Sequence, residues 1–390
     1  MQDLPFLDLT APGFSTRGAA VMAARQAHWC ARSPFGFAVL HHRQAGKILR
    51  DRRFRQGSHD WPRKVGLEGS FAAFWQRSII SQEGDTHRLQ RRMAQAALAE
   101  DAILSLKPAF RQSAQRLTNG FGDTVEFVSD FAEPFAGQAI ATLLALPQDD
   151  AAQLARDAST LGLAMGLDAK THEMAVNAAT DRLMALAAQL LADAPPDSFV
   201  DRLKAAAATH GLTDQQALRD LIVIAIFGGV DTTRAQLSFA IALLADAPAH
   251  WTRLRAAPEY IPATIAEAIR LRPTTTWATR EACEDVTLDG VRMPAGSTVH
   301  VLVHASSTDP ATGHNGDFDP FAPRKVHFGF GGGAHHCLGQ FVARTDMTCA
   351  LEVLVSQIAR FEWNGQATYL PESGNTSPIR VPVRPIWAAA

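Results

Sequence analysis

Cysteine is scarce in this chain: four thiols in 390 residues, Cys30, Cys283, Cys337 and Cys349, with no Cys-x-x-Cys pair among them. Such wide spacing excludes a disulfide framework and fits free thiols in a reducing compartment. Long apolar runs are missing too. The longest, LIVIAIFGGV at 221–230, falls well short of the ~20 residues needed to cross a bilayer. The opening MQDLPFLDLTAPGF has no basic segment followed by an apolar one, so no secretory signal is expected. Neither charge is in excess. A net charge of -2 and a pI near 6.7 provide no field to gather nucleic acid or anionic lipid. What is present is apolar material, 47% of the residues, enough for an extensive core. A soluble, cytoplasmic, monomeric protein with no nucleic-acid or membrane partner is the expectation.

The sequence shows no internal repeat and no linker, and the pattern predicts one domain over 1–390. Helical periodicity runs through 15–35 and 87–118, and an Ala/Leu-rich tract at 136–193 should form several helices before the break at DAPPD, 193–197. The capping sequence Thr213-Asp214-Gln215-Gln216 opens another helix that reaches about Leu244. A further helix covers Ile261–Leu271 and stops before Arg272-Pro273. Beyond Pro273 the texture changes. DVTLDGVRM at 285–293 reads as two short strands around an Asp-Gly turn, and STVHVLV at 297–303 reads as a strand. Residues 308–333 should be irregular, and a helix resumes after Gly339, to about Ile358. The fold class is therefore mainly α with a small β portion (α+β).

The stretch FGFGGGAHHCLGQ, residues 328–340, sets one thiol among five glycines and two histidines. Cys30, Cys283 and Cys349 read as plain core residues. Cys337 differs, because it lies just ahead of a helix start, where N–H groups and the helix dipole favour a thiolate. Glycines 331–333 would leave room for something flat and bulky against the backbone. A zinc site built from His335, His336 and Cys337 competes, but adjacent residues rarely point into one tetrahedron. A catalytic Cys/His pair competes as well, yet leaves the glycines unexplained. A single thiolate on a planar metal macrocycle accounts for all of these residues.

Phe330-x-x-Gly333-x-His335-x-Cys337-x-Gly339 resembles the haem-binding signature F-x-x-G-x-[RH]-x-C-x-G of the cytochrome P450 family. A chance match in a chain of this length is on the order of one in ten thousand. The resemblance implies the cytochrome P450 fold with haem b (iron protoporphyrin IX), Cys337 as the iron's ligand and His335 donating to a haem propionate.

Three other elements resemble the same family in the same order. Glu267-Ala268-Ile269-Arg270 is similar to the E-x-x-R pair, which is structural; alone it would read as a surface ion pair. Gly228-Gly229-Val230-Asp231-Thr232-Thr233 is similar to [AG]-G-x-[DE]-T. Two glycines cost a helix roughly 1 kcal/mol each, so either close packing or function must return something. The resemblance implies that Thr232 offers its hydroxyl to dioxygen and that Asp231 relays protons. His87 and Arg91 share a helical face, and two carboxylates on a buried macrocycle need such donors. They resemble the H-x-x-x-R helix of bacterial members, and Arg280 matches the family arginine that binds a propionate from the β side.

There are departures. The arginine usual five residues before the histidine of H-x-x-F-G falls on Ala322, with Arg324 the candidate replacement, while His327 keeps the histidine position. The resemblance implies a monooxygenase that inserts one atom of dioxygen into a small, largely apolar molecule. The chain carries no flavin segment and no four-cysteine cluster, so electrons would come from a ferredoxin and its NAD(P)H-dependent reductase. Arg88, Arg92 and Arg344 could form their docking patch. The Phe71–Ile80 region, 160–180, Phe227, Thr274–Trp277 and the loop near Ser377 are expected to line the substrate pocket. A peroxide-driven haem-thiolate enzyme and a non-catalytic haem sensor are the alternatives.

Overall fold

The computed structural model describes residues 3–313, 315–323 and 326–388. Its axis is the helix Gln215–Asp246, 32 residues and therefore about 48 Å long at 1.5 Å per residue. Asp214 caps it, its carboxylate accepting the Gln216 N–H at 2.8 Å. The cap is thus one residue later than the Thr213 expected from the capping sequence, with the Asp214 carboxylate meeting the second free N–H. Apolar residues lie on all sides of this helix, which is why it shows little amphipathic pattern. Helices Glu133–Leu143, Ala151–Gly162, Glu173–Ala192, Ile261–Leu271 and Gln340–Gln357 all pack against it.

Two large apolar clusters flank the axis. One gathers Phe71, Phe74, Ile140, Leu161 and Ile226. The other is built on rings: Phe127 stacks on Phe131 at 5.0 Å and Phe131 on Phe135 at 5.7 Å, while Trp251 meets Phe361 edge-on. The β portion is larger than the sequence suggests. Five strands run in the order Cys30–Ser33, Gly36–Val39, Thr298–Leu302, Trp277–Ala282, Phe54–Gln56. Only the Gly36–Val39 contact with Thr298–Leu302 is parallel. This register sets Arg280 opposite Gln56 on one side and Val299 on the other.

The helix expected over 15–35 covers only Ala19–Ala27, because His28 turns extended (φ −159°, ψ 154°) and the following residues pair as a hairpin. The 87–118 stretch is three helices, Gly84–Ala97, Glu100–Ser105 and Lys107–Asn119. Pro108 explains the last restart, since it lacks an N–H and is welcome only in a first turn. The 285–293 hairpin turns on Asp289 (φ +42°) and Gly290 (φ +86°), the left-handed pair that a two-residue turn requires. Cys30 and Cys349 are buried as expected; Cys283 is exposed.

Glu267 and Arg270 form a buried two-pronged pair, both bonds 2.7 Å, with Arg270 wholly inaccessible. Arg270 also donates to the carbonyls of Ser307, Asn315 and Asp317, and the Asp319 N–H donates to Glu267. Backbone thereby compensates a buried charge pair that would otherwise be costly. Ala322 borders a 370 Å³ cavity beside Glu267 and Arg344. Arg324 lies outside the described residues.

Candidate active site

Loop 328–339 is shaped by its own backbone. Gly331 N–H donates to Phe328 O at 2.7 Å and Cys337 N–H to Phe330 O at 2.9 Å. Gly333 has φ +70°, and a Cβ there would stand 2.0 Å from the Leu49 carbonyl oxygen; one on Gly332 would touch the Leu49 side chain at 3.3 Å. The expectation that glycines 331–333 clear space for a flat group is therefore corrected at Gly332 and Gly333, while a Cβ on Gly331 would meet only His335 O at 3.5 Å. Gly332 and Gly333 let the loop close on the helix His42–Arg50. Open glycines include Gly339 at the end of this loop and Gly228, midway along the axis helix, which is exposed; a Cβ on either would meet nothing within 4 Å.

Cys337 is accessible to solvent yet enclosed by protein at longer range, as a group lining an internal cavity is. Burial raises the pKa of its thiol; N–H groups of Gly339 and Gln340 and the charge of Arg91 pull the other way. These two N–H groups belong to the start of the helix Gln340–Gln357, where a negative sulfur is best received.

Cations from distant parts of the chain meet this loop. Arg91 donates to His336 O at 2.6 Å and Arg280 to Gly332 O at 3.1 Å. Burial depresses both guanidinium pKa values, that of Arg280 to about 10. His87 is buried and its ring stacks on His335 with centroids 4.1 Å apart; desolvation, then the neighbouring His335, lowers its pKa to about 4. Four of the expected cofactor residues, His87, Arg91, Arg280 and His335, are thus brought together. A fifth group was not expected: Glu83, whose Oε1 lies 3.0 Å from His335 Nε2. It precedes the helix Gly84–Ala97 and carries no periodic signal that would single it out.

Asp231 and Thr232 do not meet. Thr232 donates its hydroxyl to Gly228 O at 2.6 Å, within its own helix. Asp231 is buried, pairs with Arg234 at 2.7 Å and accepts from Asn375 at 3.1 Å. Adjacent helix residues diverge by about 100°, so the two side chains leave on different faces. Arg234 is one turn away and legible in the sequence. Asn375 is 144 residues away and has no local signal. Among the expected pocket residues, Phe71 and Phe74 are sealed in the core and Ser377 is buried. Bulky rings there face other apolar side chains. Arg88 pairs with Asp85, Arg92 is exposed, and Arg344 lies over the Phe330 ring at 5.8 Å.

These residues fit a planar group bearing carboxylates. Among the described residues neither Arg91 nor Arg280 has a carboxylate within ion-pair distance, although desolvated guanidinium groups call for one. The accessible sulfur beside them has the chemistry of a soft metal ligand.

A family model described as cytochrome P450 matches residues 121–375. The chain is 31% identical to the luteothin monooxygenase of Streptomyces thioluteus, over 98% of this chain and 96% of that one. It is 28% identical to the mycinamicin IV hydroxylase/epoxidase of Micromonospora griseorubida, over 91% of each. Among solved structures, the cytochrome P450 enzyme CxnD for C–S bond formation in chuangxinmycin biosynthesis superposes with a TM-score of 0.86 at 21% identity, covering 99% of both chains.

Proposed function

The chain belongs to the cytochrome P450 family and is a haem-thiolate monooxygenase of small organic substrates, and from that premise we propose a role for each residue of its site. Cys337 ligates the iron. Arg91 and Arg280, with His87 and His335, hold the propionates. Supporting this reading above all is one convergence: the half-buried guanidinium of Arg91 from a helix and the buried one of Arg280 from a strand aim at the loop that carries an accessible, N–H-facing sulfur.

When bound, haem supplies dioxygen activation, with O–O cleavage favoured by electron donation from the thiolate. The balance is one C–H bond and one dioxygen, with two electrons and two protons, giving an alcohol and water. The protein must place the substrate, exclude bulk water and meter the protons. Gly228 keeps the middle of the axis helix low. The Thr232 oxygen, with its proton committed to Gly228 O, keeps lone pairs free to accept from a proton donor. Asp231 is proposed to carry protons in from the solvent side.

The group is proposed to be haem b, held without covalent attachment, since the chain has no Cys-x-x-Cys-His. Electrons are proposed to arrive from a ferredoxin and its NAD(P)H-dependent reductase at the Arg88, Arg92 and Arg344 side. The protein is read as one domain over 1–390, monomeric and cytoplasmic; among the described residues no helix is long and apolar enough to cross a membrane, and no two cysteines are paired. The substrate is proposed to be largely apolar. Cys337→Ser should abolish the thiolate signature in the reduced carbon monoxide spectrum. Survival of that signature would remove Cys337 as ligand.

A further inference from the structure

Asp231 is held from three directions. Arg234 donates to Oδ1 at 2.7 Å, and Asn375 Nδ2 donates to Oδ2 at 3.1 Å. The third wall is Gly162, where a Cβ would stand 2.9 Å from both carboxylate oxygens. The amide of Asn375 meets the acid through Nδ2, while its Oδ1 lies 3.0 Å from the Thr274 hydroxyl, whose one proton it shares with Thr376 O at 2.7 Å. This fixes which end faces the acid, because a carboxylate is met only by the NH2 end.

Around Asn375 the C-terminal loop is stitched to the segment before the strand Trp277–Ala282. Thr376 N–H donates to Thr274 O at 2.8 Å, Thr276 N–H to Gly374 O at 3.3 Å, and the Thr274 hydroxyl to Thr376 O at 2.7 Å. On its other side Ser373 reaches Met165 O at 3.5 Å, just past the helix Ala151–Gly162. Asn375 is therefore the point where the C-terminal loop, the 274–277 segment and the axis helix are tied. Arg234, the acid's ion-pair partner, has a buried Nε with no protein partner among the described residues, so the surroundings of the acid are polar as well as enclosed.

We propose that Asn375 is a positioning residue for the distal acid, its amide tying Asp231 to the 373–376 loop so that loop closure and retraction of the carboxylate are one coupled event. The proposal rests on the reading of Asp231 as the proton-delivery residue. With both oxygens engaged, the carboxylate is turned from the Thr232 face. One hydrogen bond to a charged group biases such a held position on the order of tenfold or more. A molecule that displaces the loop withdraws the amide and frees Oδ2. Asp231 then takes one proton from solvent and passes one toward the Thr232 side, ending unchanged.

Asn375→Asp provides the test, because it sets two carboxylates at hydrogen-bond distance, which share a proton at low pH and repel when both ionise. Amide hydrogen exchange of residues 370–377 is followed in the haem-loaded, substrate-free protein between about pH 5 and 8, corrected for intrinsic rates. The other charged groups at this corner, Arg234 and the Arg17–Glu372 pair, are common to all the proteins compared. Exchange should rise severalfold with pH in Asn375→Asp, be uniformly faster in Asn375→Ala, and stay flat in the unaltered protein. If Asn375→Asp follows Asn375→Ala at every pH, the two side chains are not coupled and the proposal is overturned. In parallel, oxygen uptake driven by a surrogate ferredoxin and reductase is measured in H2O and D2O. Asp231→Asn should enlarge the isotope effect, and Asn375→Ala should change it in a Thr232-dependent way. An Asp231→Asn protein with an unaltered isotope effect would remove the proton-delivery reading itself, whatever the exchange data show. An altered effect in Asp231→Asn with none in Asn375→Ala would remove only the role of Asn375.

Discussion

Asp231 and Thr232 are neighbours in sequence that depart to different sides of one helix, and each is satisfied by a partner outside the pair. Thr232 can act only from the accessible side. Thr232→Ala should raise peroxide released per NAD(P)H oxidised by about tenfold, since it removes the oxygen that orients a proton donor and positioned proton transfer contributes at least that much; an unchanged ratio would remove it from the mechanism. His300 presents the opposite case, a titratable group with no place in the chemistry. It is buried between Phe35 and Trp277 with Nδ1 unpartnered among the described residues, and desolvation, then the charge of Lys64, lowers its pKa to about 3. The folded pKa lies below the unfolded value near 6.5, so the unfolded chain binds more protons once pH falls under about 6.5. Stability contributed by the neutral ring is complete above that pH and is lost towards pH 3, by up to about 1.4 kcal/mol per pH unit. His300→Gln should flatten the acid limb of a melting-temperature profile. An unchanged limb would mean the ring is not what titrates.

At the scale of elements, paired glycines in the axis helix turn out to serve separate purposes. Gly228 meets nothing, whereas a Cβ on Gly229 would stand 2.3 Å from Ile140 Cδ1. Gly229→Ala should therefore destabilise the protein by about 1–3 kcal/mol despite better helix propensity. Ile140→Val deletes the offending methyl, so the double variant should melt higher than the two single losses add up to. Strict additivity in urea unfolding would show that the helices do not touch there. The loop glycines follow the same logic at Gly333, where the neighbour is rigid backbone and nothing can yield.

At the scale of the whole molecule, net charge is close to balanced, so any attraction for an electron donor must come from a local patch. Arg92 is exposed on the helix Gly84–Ala97, and Arg88 of the same helix is partly neutralised by Asp85. Reduction by an acidic ferredoxin should slow as ionic strength rises past the point where the screening length falls under about 10 Å. Arg92→Glu should slow it severalfold at low salt while leaving the fold's melting temperature unchanged. A flat salt response would place docking elsewhere.

Much of this was legible before any coordinates. Local signals, which act over a few residues, fixed the helix Ile261–Leu271, the Asp289-Gly290 turn and the cysteine loop ahead of its helix. Resemblance to the family's motifs, rather than local chemistry alone, named Cys337, His87, Arg91, Arg280 and His335 as a set. What the chain could not declare by itself depends on contacts between remote segments. The strands Cys30–Ser33 and Gly36–Val39 exist because Thr298–Leu302 lies alongside, the glycines at 332 and 333 answer to Leu49, and Asp231 is gripped by Asn375. Such pairings leave no periodicity in either partner. Only the tertiary structure, by choosing which surfaces are buried together, decided them.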